Sequence, residues 1–300
     1  MKEGKASRTA EETAAARSFE SMRSEDKRVC YDAYAKDFLG GIFSLLAKSR
    51  RLITTQLLLS MAFWFGDRMN PGGAGYTVGR TAYIDDYLRE CIDGGIEQLV
   101  IIGAGYDSRA YRFDELKGKV TVFEVDHPDT QRVKMEKVKR ILGSLPEHVV
   151  YVPIDFDKEK LDEKLFESGY NNTLKTLFIW EGVTLYITAE AVDETVAFVV
   201  NNSGKGSSII FDYALQSAMD GRMEGTEKWR RYAERRGETY IFGIEEGTIE
   251  QFLSQRGFCQ VESATGESLK DVYFKGKNRD RKVLPFLSIV HATVKRREGS

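Results

Sequence analysis

Two glycines and an acid, spread over two predicted strands, form the stretch of sequence best suited to bind a ligand. The apolar run Leu99 to Ile102 predicts a strand buried on both faces, and it ends at Gly103-Ala104-Gly105. Glycines at that point permit a sharp turn and let a ligand approach bare backbone. A second predicted strand, Val120 to Val125, is followed by Asp126. Because doubly wound folds hold ribose hydroxyls on an acid at the end of the second strand, this stretch predicts an adenosine-type ligand.

The glycine spacing discriminates between ligands of that type. The dinucleotide fingerprint would continue as G-x-G-x-x-G, but Ser108 and Arg109 stand where a third glycine would follow. The missing glycine disfavours NAD and favours S-adenosylmethionine, which carries ribose and adenine but no pyrophosphate. The alternative is that Asp126 only caps the turn before Pro128.

Two further acids follow predicted strands. Asp155 stands in Ile154-Asp155-Phe156, and Glu181 stands in Trp180-Glu181-Gly182. Ligands of open α/β sheets bind outside the carboxyl ends of the strands, so these acids are expected to line one crevice with Gly103 and Asp126. Asp155 is placed to accept from an adenine amino group, and Glu181 to face a positively charged methionine end. Taken alone, each acid could equally be a solvated turn residue.

The elements that position these residues alternate between strand and helix from Gln98 onward. Apolar runs and helix-like tracts predict a mostly parallel sheet with right-handed crossovers. Two last strands, near Cys259 to Ala264 and Leu287 to Val294, are joined by a polar, basic loop and predict an antiparallel hairpin, an ending typical of S-adenosylmethionine-dependent methyltransferases. The other predicted strands cover 99–102, 120–125, 149–154, 177–180 and 208–212, and the helices 129–142, 158–168, 189–200 and 248–255.

The first 95 residues or so predict a helical cap (1–95) that precedes the core (96–300). Thr9 and Glu12 form a capping box before a helix, and Asn70-Pro71-Gly72-Gly73 is a break. Within Leu52 to Phe65, the aromatic residues 63–65 are interpreted as core or as the wall of a pocket. The predicted helices of the cap are Ala10 to Met22, Asp32 to Leu39, Leu52 to Phe65 and Arg80 to Cys91.

Composition excludes several classes of partner. The 300 residues carry a net charge of −2 and a pI near 6.1, so no basic field attracts nucleic acid. The longest apolar tract, Leu52 to Phe65, falls short of the roughly 20 residues that cross a membrane, and the charged start resembles no signal peptide. Three widely spaced cysteines predict reduced thiols in a cytoplasmic protein without a metal site.

Several motifs together resemble one family. The segments GAGYDSRAYR, FEVDHPDTQRVK, PIDF and IWEGVTLY, with TAEETAAARSFES, DAYAKDF and GRTAYIDDYL before them, are similar to the leucine carboxyl methyltransferase family and its bacterial and archaeal relatives. The resemblance covers most of the chain. It implies a Rossmann-like class I fold and S-adenosylmethionine-dependent O-methylation.

The resemblance also implies roles for particular residues. It implies that Arg80 and Arg17 hold the methionine carboxylate, that the Gly103-Ala104-Gly105 turn underlies the cofactor, and that Asp126 binds the ribose. It further implies that Asp155 and Phe156 frame the adenine and that Glu181 completes the site. A physical argument agrees with the two arginine roles. A ligand carboxylate buried in a crevice among acids requires a cation, and arginine binds a carboxylate through two parallel hydrogen bonds.

The methyl acceptor and any catalytic residue are not identified by the sequence. A carboxylate acceptor needs no general base, whereas a hydroxyl acceptor needs one within about 3 Å. Tyr186 and Tyr213, after the fourth and fifth strands, are the candidates for the acceptor pocket. The basic, aromatic insertion at 214–247 predicts a lid whose arginines could meet an acidic substrate or form a solvated helix face.

The predicted function is therefore O-methylation of a small-molecule carboxylate or hydroxyl with S-adenosylmethionine. Two alternatives from other classes are an NAD-dependent oxidoreductase and a non-catalytic S-adenosylmethionine-binding protein. Neither nucleic acid nor a membrane is an expected partner, and the oligomeric state is left open.

Overall fold

The computed structural model describes residues 8–40, 68, 70–156 and 158–295. The predicted helix Leu52 to Phe65, with the proposed pocket role of its last three aromatic residues, lies outside the described residues.

Seven strands form one sheet in the order β3-β2-β1-β4-β5-β7-β6. β1 to β5 run parallel, and β7 is antiparallel to both of its neighbours. This arrangement confirms the predicted mostly parallel sheet with an antiparallel end. The strands are β1 (Gln98–Ile102), β2 (Thr121–Asp126), β3 (Val149–Pro153), β4 (Thr176–Trp180), β5 (Ser208–Ala214), β6 (Phe258–Thr265) and β7 (Leu287–Val294).

The central strands form the middle of the hydrophobic core. Every residue of β1, β4 and β5 is buried, as expected of strands covered on both faces by helices. These strands consist mainly of β-branched and aromatic residues, and polar residues stand mostly at their ends. That burial leaves the carboxyl edge of the sheet as the place where polar residues collect.

The helices of the described residues connect the strands and cover both faces. They are α1 (Arg8–Ser21), α2 (Gly73–Asp93), α3 (Arg109–Arg112), α4 (Pro128–Leu142), α5 (Leu161–Glu167), α6 (Ala189–Asn201), α7 (Gln216–Met219), α8 (Glu227–Arg236), α9 (Ile249–Gln255) and α10 (Gly266–Tyr273). Within these residues, no helix combines the length and the apolarity needed to cross a bilayer.

The predicted C-terminal hairpin is present, but its connection differs from the predicted loop. The chain between β6 and β7 contains α10, whose N-cap Thr265 accepts from the backbone N–H of Ser268. β7 then inserts between β5 and β6. The helix was missed because the segment is short and polar, with a glycine at its first position.

One predicted helix of the N-terminal segment is largely absent. Asp32 to Leu39 contains only a 3₁₀ turn, Ala35–Phe38. The Asp32 carboxylate accepts from the backbone N–H groups of Tyr34 and Ala35, at 3.0 Å each. An acid bonded to its own following backbone competes with a regular helix, which explains the difference.

Helix α2 begins earlier than predicted, directly after the predicted break. Gly72 is its N-cap residue with a φ of 87°, and the helix continues from Gly73 to Asp93. Gly75, in its first turn, lies against the chain that enters β7, since a Cβ built there would stand 2.0 Å from the carbonyl oxygen of Lys282. Close backbone contact at a glycine fixes the position of α2.

We expect Gly75→Ala to destabilise the protein by about 1–3 kcal/mol, because the added methyl group meets a backbone oxygen that cannot rotate away. The higher helix propensity of alanine offsets at most about 1 kcal/mol of this loss in the free energy of unfolding. Urea unfolding measures the change. Glu90→Ala, on an exposed position of the same helix, is the control and should change stability by no more than about 0.5 kcal/mol. A Gly75→Ala protein as stable as the wild type would contradict the close packing.

Candidate functional site

A cavity of about 1010 Å³ lies at the carboxyl edge of the parallel strands. Residues from all six sequence regions predicted to bind a cofactor line it: α1, α2, the turn after β1, and the ends of β2, β3 and β4. All nine residues predicted to bind a cofactor are among the lining residues: Arg17, Arg80, Gly103, Ala104, Gly105, Asp126, Asp155, Phe156 and Glu181. The strand ends brought to one edge of the sheet therefore line one cavity.

The turn after β1 is a tight backbone cradle. The N–H groups of Gly103 and Ala104 both donate to Val125 O, at 2.9 Å each. Gly103 and Gly105 have φ values of 70° and 41°, a region that favours glycine. A Cβ at Gly103 would stand 2.5 Å from Cγ2 of Val183. The turn therefore requires glycine both for its conformation and for its close approach to the β4 loop.

Asp126 faces the cavity with spare acceptor capacity. One carboxylate oxygen accepts from the backbone N–H of Gly105, and the other accepts from the N–H of His127 at 2.6 Å. Each oxygen of an ionised carboxylate can accept a second bond. Burial raises the pKa of the Asp126 carboxyl, and the two backbone donors offset this only in part. Two further donors, such as the hydroxyls of a diol, would suit this carboxylate.

A buried ion pair supports the glycine turn. The sequence pattern did not predict this pair. Lys134 Nζ of α4 lies 2.9 Å from Glu124 Oε1 of β2 and donates to Ala104 O at 3.3 Å. Tyr111 donates its hydroxyl proton to Glu124 Oε2 at 2.8 Å. Lys134 and Glu124 are both buried. The signal available in the sequence was a glutamate inside an apolar strand, which requires a buried partner.

Arg80 lies between two acids at the centre of the cavity. Its Nη2 is 2.8 Å from Glu181 Oε1, and its Nη1 is 2.5 Å from Asp212 Oδ2. Asp212 also accepts from the N–H of Gly182 at 2.6 Å. The Nε of Arg80 is buried and has no hydrogen-bond partner among the described residues. One N–H of this guanidinium is thus not used by any described residue.

Asp212 was not predicted as a site residue, although the rule that found the other acids applies to it. It stands in β5, in the run Ile210-Phe211-Asp212, and is buried. An acid in an otherwise apolar parallel strand, close to its carboxyl end, is expected to face the same edge. The fifth strand could therefore have been included with the second, third and fourth.

Glu181 is bound by two arginines. Arg109 Nη1 lies 2.7 Å from Glu181 Oε2 and 2.5 Å from Asp107 Oδ2, while its Nε is 2.8 Å from Asp85. Arg109 therefore joins Glu181 to Asp107 and Asp85. Burial alone would raise the pKa of the Glu181 carboxyl, but Arg80 and Arg109 outweigh it and hold that pKa well below its usual range. Glu181 stays ionised and orients both guanidinium groups.

Arg17 reaches the cavity from α1. Its Nε donates to Asp32 Oδ2 at 2.9 Å, and its Nη2 donates to Tyr106 O at 2.5 Å. Ser108, which follows the glycine turn, donates to the same Asp32 oxygen at 2.7 Å. These bonds tie α1 to the turn that carries the glycines. Arg17 is therefore a buried, fixed residue and not part of a solvated helix face.

Asp155 and Phe156 lie at the outer end of the cavity. Lys158 Nζ donates to Asp155 Oδ2 at 2.7 Å, and the Asp155 N–H donates to Glu159 at 2.9 Å. The Phe156 side chain is 51% exposed. An exposed aromatic face beside a cavity is available for stacking against a flat ring.

Of the two acceptor-pocket candidates, the structure places only Tyr186 on the cavity. Its hydroxyl donates to Glu238 Oε2 at 3.3 Å. Tyr213 points to the other face of the sheet, where its hydroxyl lies 3.1 Å from Ser263 Oγ of β6, and it is not among the described lining residues. Side chains alternate along a strand, and the neighbouring Asp212 takes the cavity side, so the structure does not bring Tyr213 together with the other predicted site residues.

The insertion at 214–247 supplies one wall of the cavity. Trp229, Tyr232, Arg236, Glu238 and Tyr240 line it. Tyr232 donates its hydroxyl proton to Glu12 Oε2 at 2.8 Å, and Arg236 forms an ion pair with Glu12. The insertion thus closes against α1. The domain boundaries of the sequence analysis, those of the lid included, stay predictions.

The donor set fits S-adenosylmethionine. The glycine cradle leaves room for a ligand against the backbone, Asp126 keeps two lone pairs for hydroxyls, and the unpartnered Nε of Arg80 can donate to a carboxylate. Acids around the cavity suit the positive sulfonium and ammonium groups.

Comparison with known proteins identifies the class. The leucine carboxyl methyltransferase family model matches residues 10–200. A solved structure described as a "putative methyltransferase from Thermobifida fusca YX" has a TM-score of 0.56 and 12% identity, covering 84% of this chain and 92% of that one. Its likeness concerns the fold. The protein has the class I fold of S-adenosylmethionine-dependent methyltransferases.

Two curated relatives narrow the assignment. A Bacillus subtilis (strain 168) protein named "Putative S-adenosyl-L-methionine-dependent methyltransferase YktD" is 31% identical over 218 residues, which are 72% of this chain and 71% of that protein. A Mycobacterium avium (strain 104) protein named "Putative S-adenosyl-L-methionine-dependent methyltransferase" is 32% identical over 173 residues. That match spans 53% of the mycobacterial protein. The chain belongs to the leucine carboxyl methyltransferase family.

Proposed function

We propose that this protein is an S-adenosylmethionine-dependent O-methyltransferase that acts on a small-molecule carboxylate or hydroxyl. The observation that carries the proposal is the grouping of the glycine turn, Asp126 and the unpartnered Arg80 Nε in one cavity. The relatives reported above are named as methyltransferases, so the nicotinamide alternative is not retained.

Each group of residues has a defined part in this proposal. Asp126 accepts from the ribose hydroxyls, and Asp155 with Phe156 binds the adenine at the outer end. Arg80 donates its free Nε proton to the methionine carboxylate. Arg17 fixes α1 against the glycine turn and adds positive charge beside that carboxylate, while Glu181 holds Arg80 in place.

The protein's own contribution to methyl transfer is alignment and exclusion of water. The cofactor supplies a methyl group already activated by its sulfonium. The residues need only hold acceptor and methyl carbon in line within a closed cavity. The insertion at 214–247 and α1 close that cavity, because Arg236 and Tyr232 join them through Glu12.

Calorimetric titration with S-adenosylmethionine, S-adenosylhomocysteine and NADH tests the proposal. We expect micromolar binding of the two sulfur ligands and no binding of NADH. Binding of NADH alone would overturn the proposal. A protein that binds both sulfur ligands but transfers no methyl group to any carboxylate or hydroxyl would be a binding protein, which also overturns the catalytic assignment.

We also propose a cytoplasmic location. Cys30, Cys91 and Cys259 are all unpaired, and burial raises the pKa of the Cys30 and Cys91 thiols. Unpaired, unreactive thiols are typical of a reducing compartment.

A further inference from the structure

The described wall of the cavity is strongly acidic. Eight carboxylates line it against four arginine or lysine side chains. The carboxylates are Glu12, Asp107, Asp126, Asp129, Asp155, Glu181, Asp212 and Glu238, and the cations are Arg17, Arg80, Lys158 and Arg236. A cavity of one charge sign concentrates ligands of the opposite sign and repels those of its own. S-adenosylmethionine, with two positive groups and one carboxylate, suits this field, whereas a free carboxylate acceptor does not.

Each of those four cations is already paired with an acid. Arg17 pairs with Asp32, Arg80 with Glu181 and Asp212, and Lys158 with Asp155. Arg80 Nε, a buried donor without a hydrogen-bond partner among the described residues, is the one that the proposed function assigns to the methionine carboxylate.

Arg236, the lid cation that lines the cavity, forms ion pairs with two carboxylates. Arg236 pairs with Glu12 through Nη1 and with Glu238 through Nη2, at 3.2 Å for the second pair. Its side chain is only 7% exposed. An arginine held between two carboxylates offers little net attraction to an anionic substrate. The lid therefore does not supply the cation that a carboxylate acceptor needs.

The same wall is aromatic. Trp229 and Tyr240 stack with ring centroids 4.2 Å apart and an angle of 16° between the rings. The ring centroids of Tyr186 and Tyr240 lie 5.6 Å apart. All three line the cavity. Such a wall binds flat, unsaturated rings by stacking and by burial of apolar surface.

Glu238 is an acid of this wall, and its two carboxylate oxygens differ in how fully they are hydrogen-bonded. Its Oε1 accepts from Thr9 Oγ1 at 2.8 Å and from Arg236 Nε at 3.2 Å. Among the residues that the structure describes, its Oε2 accepts one long hydrogen bond, 3.3 Å, from the Tyr186 hydroxyl. Oε1 is fully engaged, so the remaining acceptor capacity of the carboxylate is on Oε2, beside the aromatic rings.

We propose that the methyl acceptor is an aromatic hydroxyl compound without a negative charge, not a carboxylate, and that Glu238 is the base that removes its proton. The inference rests on the proposed function and goes beyond it by naming the acceptor class and a catalytic residue. The hydroxyl oxygen forms the new bond to the methyl carbon as the carbon–sulfur bond breaks. The electron pair of that bond stays on sulfur, and the hydroxyl proton moves to Glu238 Oε2.

A matched pair of ligands tests the acceptor class. Calorimetry with the S-adenosylhomocysteine complex measures binding of 2-naphthol and of 2-naphthoate, which share a ring system and differ in charge. We expect 2-naphthol to bind at least about tenfold more tightly, which corresponds to about 1.4 kcal/mol. Tighter or equal binding of 2-naphthoate, or binding of neither, would overturn the proposed class. Because formation of the S-adenosylhomocysteine complex is measured first, its failure would refute the proposed function separately.

A second experiment tests Glu238. We expect the wild type to convert 2-naphthol to its methyl ether, and Glu238→Gln to lower that rate by about 10²–10⁴-fold, the range of general-base catalysis. The rate of Glu238→Gln should rise with pH as free naphtholate accumulates, which a structural role would not produce. Glu245→Gln is the control, since Glu245 is exposed and pairs with Arg222 outside the cavity. Bound but unmethylated 2-naphthol, a methyl ester from 2-naphthoate, or equal rates for Glu238→Gln and wild type would each overturn the assignment.

Discussion

Asp126→Ala is expected to weaken S-adenosylmethionine binding about ten- to a hundredfold. The substitution removes charge-assisted hydrogen bonds worth roughly 1.5–3 kcal/mol from the proposed ribose site. Within the described part of the chain, Asp126 accepts from two backbone N–H groups, so its remaining lone pairs are available to the ligand. Calorimetric titration measures the loss. A folded Asp126→Ala protein that binds as tightly as the wild type would refute the ribose assignment.

The same residue predicts how binding depends on pH. Burial raises the pKa of the Asp126 carboxyl in the free protein, and only the ionised form can accept from two hydroxyls. Bound hydroxyl donors stabilise the ionised form and lower that pKa. Affinity should therefore be highest above the raised pKa and fall by up to about tenfold per pH unit below it.

Asp126→Asn is the matched control for the pH effect. Its side chain is nearly the same size but cannot ionise, so its affinity should be weaker and should not change with pH over the same range. Equal pH dependence in wild type and Asp126→Asn would assign the titration to another group.

Much of the candidate cofactor site could be predicted from the sequence, because its residues are marked by local signals in the chain. Strand ends are marked by the change from apolar to polar residues, and parallel strands bring those ends to one edge. Gly103, Asp126, Asp155 and Glu181 were found in this way. The glycines of the turn are recognisable in the sequence, because no other residue adopts their backbone conformation at so low a cost in free energy.

The acceptor side could not be predicted, because its contacts join distant parts of the chain. Glu12 of α1 meets Tyr232 of α8, 220 residues further on, and Thr9 meets Glu238, 229 residues further on. No periodicity or spacing encodes such pairs. The lid arginines show the same limit: their number is visible in the sequence, but the pairing of Arg236 with Glu12, 224 residues earlier, is not.

Whether a polar residue of a strand faces the site also depends on exact register. Asp212 and Tyr213 are neighbours, and both are chemically plausible near an acceptor. The Trp180–Phe211 pairing between β4 and β5 sets which of them faces the cavity. A shift by one residue would exchange their sides, so the structure was needed to choose Asp212.

Removal of the Arg80 charge is expected to have the largest effect on stability. In Arg80→Met, the buried Asp212 would keep only the backbone N–H of Gly182 as a described partner of its Oδ1. Breaking a buried ion pair by removing one partner costs about 3–5 kcal/mol. Glu181 would be less affected, because Arg109 remains 2.7 Å from it. Urea unfolding measures the loss, and Arg89→Met on the same helix, which breaks an exposed pair with Asp86, should cost no more than about 1 kcal/mol.

A double variant separates the contribution of Arg80 to stability from its contribution to S-adenosylmethionine binding. Arg80→Met with Asp212→Asn removes both charges, so we expect it to recover a large share of the lost stability, since replacing both partners avoids an unpaired buried charge. It should not recover S-adenosylmethionine binding, because the free Nε donor of Arg80 is still missing. Stability and affinity regained together would show that Arg80 acts only as a counter-ion for Asp212. Stability regained without affinity would assign the methionine carboxylate to Arg80, in a cavity whose other described cations are already paired with acids.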